Sequence, residues 1–139
     1  WLIKQRNHWS DAYLMVQKEM AERLTGKVGT KAYSRLTVMI GAFMDVKICF
    51  NISPNVFIPI PKVESSIIRL VKKPKPLIRD NQFKQFEKIV KSAFSQRRKM
   101  LRNSLKEFNF HLKIQEEIDF RRRPETLLIQ EFVKLLQNR

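Results

Sequence analysis

The sequence has 139 residues, 43% of them hydrophobic, which is too apolar for a disordered tail and long enough for one domain or two small ones. Its 28 Lys and Arg against 13 Asp and Glu leave a net charge of +15, which points to a polyanionic partner, nucleic acid or an anionic membrane surface. Apolar runs of only a few residues, a single cysteine and two distant histidines exclude a spanning helix, an internal disulfide and a zinc or haem centre, and they fit a reducing compartment such as the cytoplasm.

The basic excess is spread along the chain, with 13 basic against 5 acidic residues up to residue 76 and 15 against 8 beyond it, so it is not a basic tail. Trp1-Leu2-Ile3 has the character of the interior of an element, and the chain is expected to be part of something longer. Ala12 to Val16 is a short apolar run with the length of a buried strand. Lys18 to Leu24 follows as a short helix, broken by Gly26 and Gly29. Lys31 to Phe43 predicts a second helix, with Tyr33, Leu36, Val38, Met39, Ile40 and Phe43 at its apolar positions. Asp45 to Ile52 is strand-like, and Cys49 within it is expected to be a buried core thiol.

The stretch "NVFIPIPKVESSIIRL", residues 55–70, is a stiff extended loop feeding a strand, because Pro59 and Pro61 fix φ and cannot donate to a sheet. In the strand from Val63 to Val71, Ser65, Ile67 and Arg69 face one way and Ser66, Ile68 and Leu70 the other. On pattern alone, Phe57 at the head of this loop is a packing residue. Strand, helix, strand and a further strand form the second half of an α/β sheet.

Lys72-Lys73-Pro74-Lys75-Pro76 has the composition of an interdomain linker, dividing the chain into residues 1–73 and 74–139. Beyond it the apolar period becomes helical. Phe83, Phe86, Ile89, Val90, Ala93 and Phe94 define one helix, with Asp80 or Asn81 placed to cap it. Met100, Leu101, Leu105 and Phe108 repeat the pattern, Ile114 to Ile118 is a short helical turn, and Leu127 to Leu136 is a last amphipathic helix near Pro124. The fold class is therefore α/β plus all-α. Gln96-Arg97-Arg98-Lys99, with Arg102 one turn on, places three consecutive cations where only a turn or helix end can splay them toward separate phosphates. Arg121-Arg122-Arg123 is a second basic triplet.

Five segments together resemble a known family: "LMVQKEMAERL" (14–24), "KAYSRLTVMIGAF" (31–43), "FIPIPKVESSIIRL" (57–70), "AFSQRRKMLRNSL" (93–105) and "RRPETLLIQEF" (122–132). Their order and spacing are similar to those of the KsgA family, small-subunit rRNA adenine N6,N6-dimethyltransferases, over nearly the whole chain. The F-x-P-x-P-K-V-x-S element is shared with relatives that dimethylate large-subunit rRNA or serve as mitochondrial transcription factors. The QRRK-x-L-x-N-x-L element favours the small-subunit branch.

The resemblance implies the second half of a Rossmann-like, S-adenosylmethionine-dependent methyltransferase domain over residues 1–73, then a small helical RNA-binding domain over 74–139. It implies methylation of adenines near the 3′ end of 16S-type rRNA, on a pre-30S-type particle during ribosome biogenesis, with no membrane or metal involved. It makes Phe57 an aromatic wall for a base drawn out of its stack. It makes Arg97, Arg98, Lys99 and Arg102 RNA contacts, with Lys62, Arg121, Arg122 and Arg123 as further candidates; Glu125 could instead hold Arg123 in a local pair. The family's glycine-rich cofactor loop and Asn-Leu-Pro-Tyr motif are not among these residues, whose only glycines are Gly26, Gly29 and Gly41. This chain alone is accordingly expected to bind no S-adenosylmethionine and to be inactive. One departure stands at Leu128, where the family has a Ser or Thr helix cap; Thr126, Glu125 or fraying of the helix would have to compensate. The competing readings are a large-subunit rRNA methyltransferase of the antibiotic-resistance type and a non-catalytic RNA-binding or assembly module.

Overall fold

A computed structural model describes residues 1–136. The chain opens with a single helical turn, α1 (Leu2–Gln5), and a 3-10 turn over Arg6–His8. Strand β1 (Asp11–Gln17) leads directly into helix α2 (Lys18–Leu24), and helix α3 (Arg35–Gly41) precedes strands β2 (Met44–Ile52) and β3 (Ser65–Lys72). Helices α4 (Phe83–Ser95), α5 (Leu101–Ser104), α6 (Leu112–Glu117) and α7 (Ile129–Lys134) complete the described chain.

The three strands form one sheet in the order β1-β3-β2, with β3 antiparallel to both neighbours, so β1 and β2 run parallel. The alternation in β3 decides its faces. Ser66, Ile68 and Leu70 are fully buried on the face against which α2 packs, whereas Arg69 is exposed. Ser66 survives in the core because its hydroxyl pairs with the Asn51 side chain at 2.7 Å. The opposite face carries Tyr13, Met15 and Phe50, all more than half exposed.

Cys49 is exposed, against the expectation of a core thiol. The β2–β3 register slips between Ile48 and Phe50, so a bulge carries Cys49 out of the alternation. Helix α3 starts four residues later than its apolar pattern predicts. Residues Thr30–Ala32 turn instead, and the Ser34 N–H donates to Thr37 Oγ1 at 2.9 Å to open the helix. Two glycines make that turn possible. A Cβ on Gly26 would lie 2.7 Å from the Ala32–Tyr33 backbone, and Gly29 sits at φ 83°.

Neither Asp80 nor Asn81 caps α4. The helix begins after Gln82, and Asp80 instead pairs with Arg6. The buried side chains of α4, Phe86, Ile89, Val90 and Ala93, join those of the sheet and α3 in one continuous core that also holds Phe132 and Leu135. The Tyr33 hydroxyl donates to Leu127 O at 2.7 Å, and Lys73 and Leu77 donate their N–H groups to Phe43 O and Ala42 O at 2.9 and 2.8 Å. The proline-rich segment is thus hydrogen-bonded to the end of α3. At α7 neither Thr126 nor Glu125 replaces the missing cap. Glu131, three residues into the helix, accepts the Leu128 N–H at 2.7 Å.

Candidate base-holding loop and RNA interface

The loop between β2 and β3 lies at the carboxyl ends of the parallel strands β1 and β2, since Gln17 and Ile52 both pair with Ser65. Open α/β sheets bind their ligands at this edge. Pro54–Val56 form a 3-10 turn, the Ser53 hydroxyl accepts the Asn55 N–H, and the Phe57 N–H donates to Pro54 O at 3.1 Å. The Ile58–Pro59 peptide is cis. The far end of the loop is tied to the start of α2. The Lys18 N–H donates to Glu64 O, and its ammonium meets the Glu64 carboxylate, both at 2.9 Å. That hydrogen bond and charge raise the Lys18 pKa. Within this frame Phe57 is half-buried while its neighbours Val56, Ile58 and Ile60 project into solvent, Ile58 completely. Lys62 is exposed on the same loop.

The basic residues divide into two kinds. Residues 96–98 form the turn that ends α4. There the Arg97 guanidinium folds back onto the carbonyls of Lys31 and Thr30 at 2.6 and 3.2 Å, while Arg98 and Lys99 extend into solvent with no side-chain partner among the described residues. Arg102 and Arg123 are likewise exposed and unpartnered there. Arg122 is engaged. It forks onto Glu131 at 2.6 and 3.1 Å and reaches the hydroxyl and carbonyl of Thr126. Burial disfavours the charged Glu131 carboxylate, but Arg122 and the Leu128 N–H outweigh it and hold its pKa below the usual value. Arg121 pairs with Asp119 at 3.1 Å; the Arg121 N–H, then its side chain, lower the Asp119 pKa.

The second triplet reaches the first through the backbone. Leu101 N–H donates to Arg122 O and Arg102 N–H to Phe120 O, both at 2.9 Å, which sets the Arg121–Arg123 segment beside α5. Nothing in the local sequence signals this pairing across some twenty residues. Glu125 does not meet Arg123. Its Oε2 atom is buried without a partner, and the residue lines a small cavity with Gly29, Thr30, Lys31 and Arg97. Gly26 and Gly41 are closely packed by Ala32–Tyr33 and Ile129, and the Gly29 N–H donates to Glu125 O at 2.7 Å.

An antiparallel strand set between two parallel ones, flanked by helices and followed by a basic helical segment, places this chain in the class of α/β methyltransferase folds. A dimethyladenosine transferase from Plasmodium falciparum has a similar solved structure, with a TM-score of 0.82 and 30% identity over 96% of this chain and 58% of that one. The 23S rRNA methyltransferase ErmE shares the fold at a TM-score of 0.66 and 22% identity, covering 92% of this chain and 54% of that one. The chain belongs to the ribosomal RNA adenine dimethylase family, whose model matches residues 1–135. Proteins named ribosomal RNA small subunit methyltransferase A are similar to it. The one from Flavobacterium johnsoniae is 46% identical over 123 residues, covering 88% of this chain and 47% of the relative. That from Clostridium botulinum is 40% identical over 140 residues, covering 96% and 51%. The chain spans about half the length of the curated relatives it matches.

Proposed function

We propose that this chain carries the base-holding loop and RNA-docking surface of a small-subunit rRNA adenine N6,N6-dimethyltransferase that uses S-adenosylmethionine and works in the cytoplasm on a pre-30S-type particle. Residues 1–73 form the second half of its catalytic domain, and residues 74–139 form its RNA-binding helical domain. The cofactor supplies the methyl group from elsewhere in the enzyme. This chain's residues hold and orient the adenine.

The placement of Phe57 carries the reading. A base whose exocyclic amine is to be methylated must leave its stack, and its ring then needs an aromatic face. Phe57 is half-buried on a loop closed at both ends, at the strand edge where α/β sheets take ligands. Arg98, Lys99, Arg102 and Arg123 lie free to meet phosphates, with Lys62 on the loop itself. Arg97, Arg121 and Arg122 are already engaged, with the Lys31 carbonyl and the Asp119 and Glu131 carboxylates.

The test is methyl transfer from labelled S-adenosylmethionine by the full-length protein to unmethylated small-subunit particles. Two methyl groups on N6 of adenines near the 3′ end of the small-subunit rRNA are expected. Modification of large-subunit rRNA instead, or RNA binding with no transfer to either subunit, would overturn the proposal. The 139-residue chain alone should bind no cofactor by calorimetry.

A further inference from the structure

Helix α4 carries a second cationic feature that neither basic triplet includes. Its buried stripe is Phe86, Ile89, Val90 and Ala93. Lys84, Lys88 and Lys91, at spacings of four and three, share the opposite face, and all three are exposed. At about 1.5 Å rise per residue, neighbouring lysines on this face stand about 6 and 4.5 Å apart along the axis, on the scale of successive phosphates in a strand.

Three facts distinguish this face from an ordinary solvated one. First, it holds no carboxylate. The one acidic residue of α4, Glu87, is turned aside to Arg35 of α3 at 2.8 Å. Second, many cations elsewhere are neutralised, among them Lys18, Arg23, Arg69 and Lys73, each beside an acidic side chain. Lys84 and Lys91 have no side-chain partner among the described residues, and Lys88 has only the Phe108 ring, 5.7 Å from its ammonium. Third, like charges at these spacings weaken a helix, and nothing on this face offsets the repulsion. A polyanion would. Helix α4 ends at Ser95, and the turn that follows it bears the exposed Arg98 and Lys99.

We propose that Lys84, Lys88 and Lys91 form a phosphate-binding track that extends the RNA footprint along α4 from the Arg98–Lys99 turn. The track binds backbone phosphates and reads no bases. It rests on the RNA-binding reading above and deepens it.

The test is a salt series of binding measurements with a small-subunit rRNA fragment, using the full-length wild-type protein, Lys84→Gln/Lys88→Gln/Lys91→Gln, and a control of equal charge change, Lys4→Gln/Lys47→Gln/Lys75→Gln. Glutamine matches lysine in helix propensity, so the stripe variant should melt no lower than wild type. Its log–log salt slope should flatten by about 0.7–0.9 per lysine, roughly two or more in total, and the control should change far less. A wild-type slope in the stripe variant, or equal flattening in both triples, would overturn the track while leaving RNA binding in place. Absence of salt-dependent RNA binding by the wild type would instead overturn the RNA reading as well. Loss of binding to phosphatidylserine vesicles with RNA binding unchanged would assign the stripe to a membrane and also refute the track.

Discussion

Arg122 is the sharpest place to test the division of the basic residues into structural and RNA-facing. As one of three consecutive arginines it has the sequence of an RNA contact. In the fold it joins the turn before α7 to Glu131, with two guanidinium–carboxylate bonds at 2.6 and 3.1 Å and further bonds to Thr126. Charge-assisted hydrogen bonds are worth about 1.5–3 kcal/mol in partly buried settings. With the two side chains 33% and 20% exposed, solvent screening favours the lower half of that range. Arg122→Ala should therefore lose about 2 kcal/mol. An unfolding entropy of about 2.1 cal/mol/K per residue gives roughly 0.3 kcal/mol/K for a chain of this length, so Tm should fall by about 7 °C. Arg98→Ala, with no side-chain partner to lose, should stay within about 2 °C of wild type. RNA titrations should show the converse, with Arg98→Ala flattening the salt slope by about 0.7–0.9 and Arg122→Ala leaving it unchanged. A double-mutant cycle with Glu131→Gln should return a favourable coupling smaller than the full effect of Arg122→Ala, because the Thr126 bonds do not depend on Glu131. An Arg122→Ala protein that melts like wild type and has a flattened salt slope would refute this assignment.

Phe57→Ala in the full-length enzyme should slow single-turnover methylation by about 5- to 150-fold, the equivalent of roughly 1–3 kcal/mol of base stacking, with little change in Tm. Tyr and Trp should restore part of the rate and Leu should not; a Leu variant as fast as wild type would end the stacking role. Tyr33→Phe should lose about 1–3 kcal/mol, because the buried Leu127 carbonyl is left without its 2.7 Å donor; an unchanged melt would show that this bond adds nothing. Glu131 is held below its ordinary value of 4.5, so the unfolded chain takes up its proton first and stability rises with pH through that window. The gap in Tm between wild type and Glu131→Gln should be full above about pH 5 and shrink as the pH falls through the lowered folded value, and a gap that widens on acidification would contradict the pairing with Arg122.

The one-dimensional pattern determined a good deal of this protein. Alternation in residues 65–70 assigned both faces of β3 and the i, i+3, i+4 spacing after residue 82 marked α4, because each signal comes from a side-chain direction that repeats along the local backbone, whereas the apolar run at 12–16 marked β1 but not that Tyr13 and Met15 on it are exposed. The five family segments are legible for a similar reason, being short and contiguous. Three things depended on residues that meet only after folding. The bulge that expels Cys49 arises from pairing with β3, not from the composition of β2. The capping of α7 by Glu131 required the turn from Leu128 to close. Above all, charge alone could not tell a free arginine from a bound one. Arg97 and Arg98 are adjacent and chemically identical, yet Arg97 is held by carbonyls 66 and 67 residues away while Arg98 faces solvent. A cation's partner is set by which distant backbone the packed core brings within hydrogen-bond reach, and that is decided only by the tertiary structure.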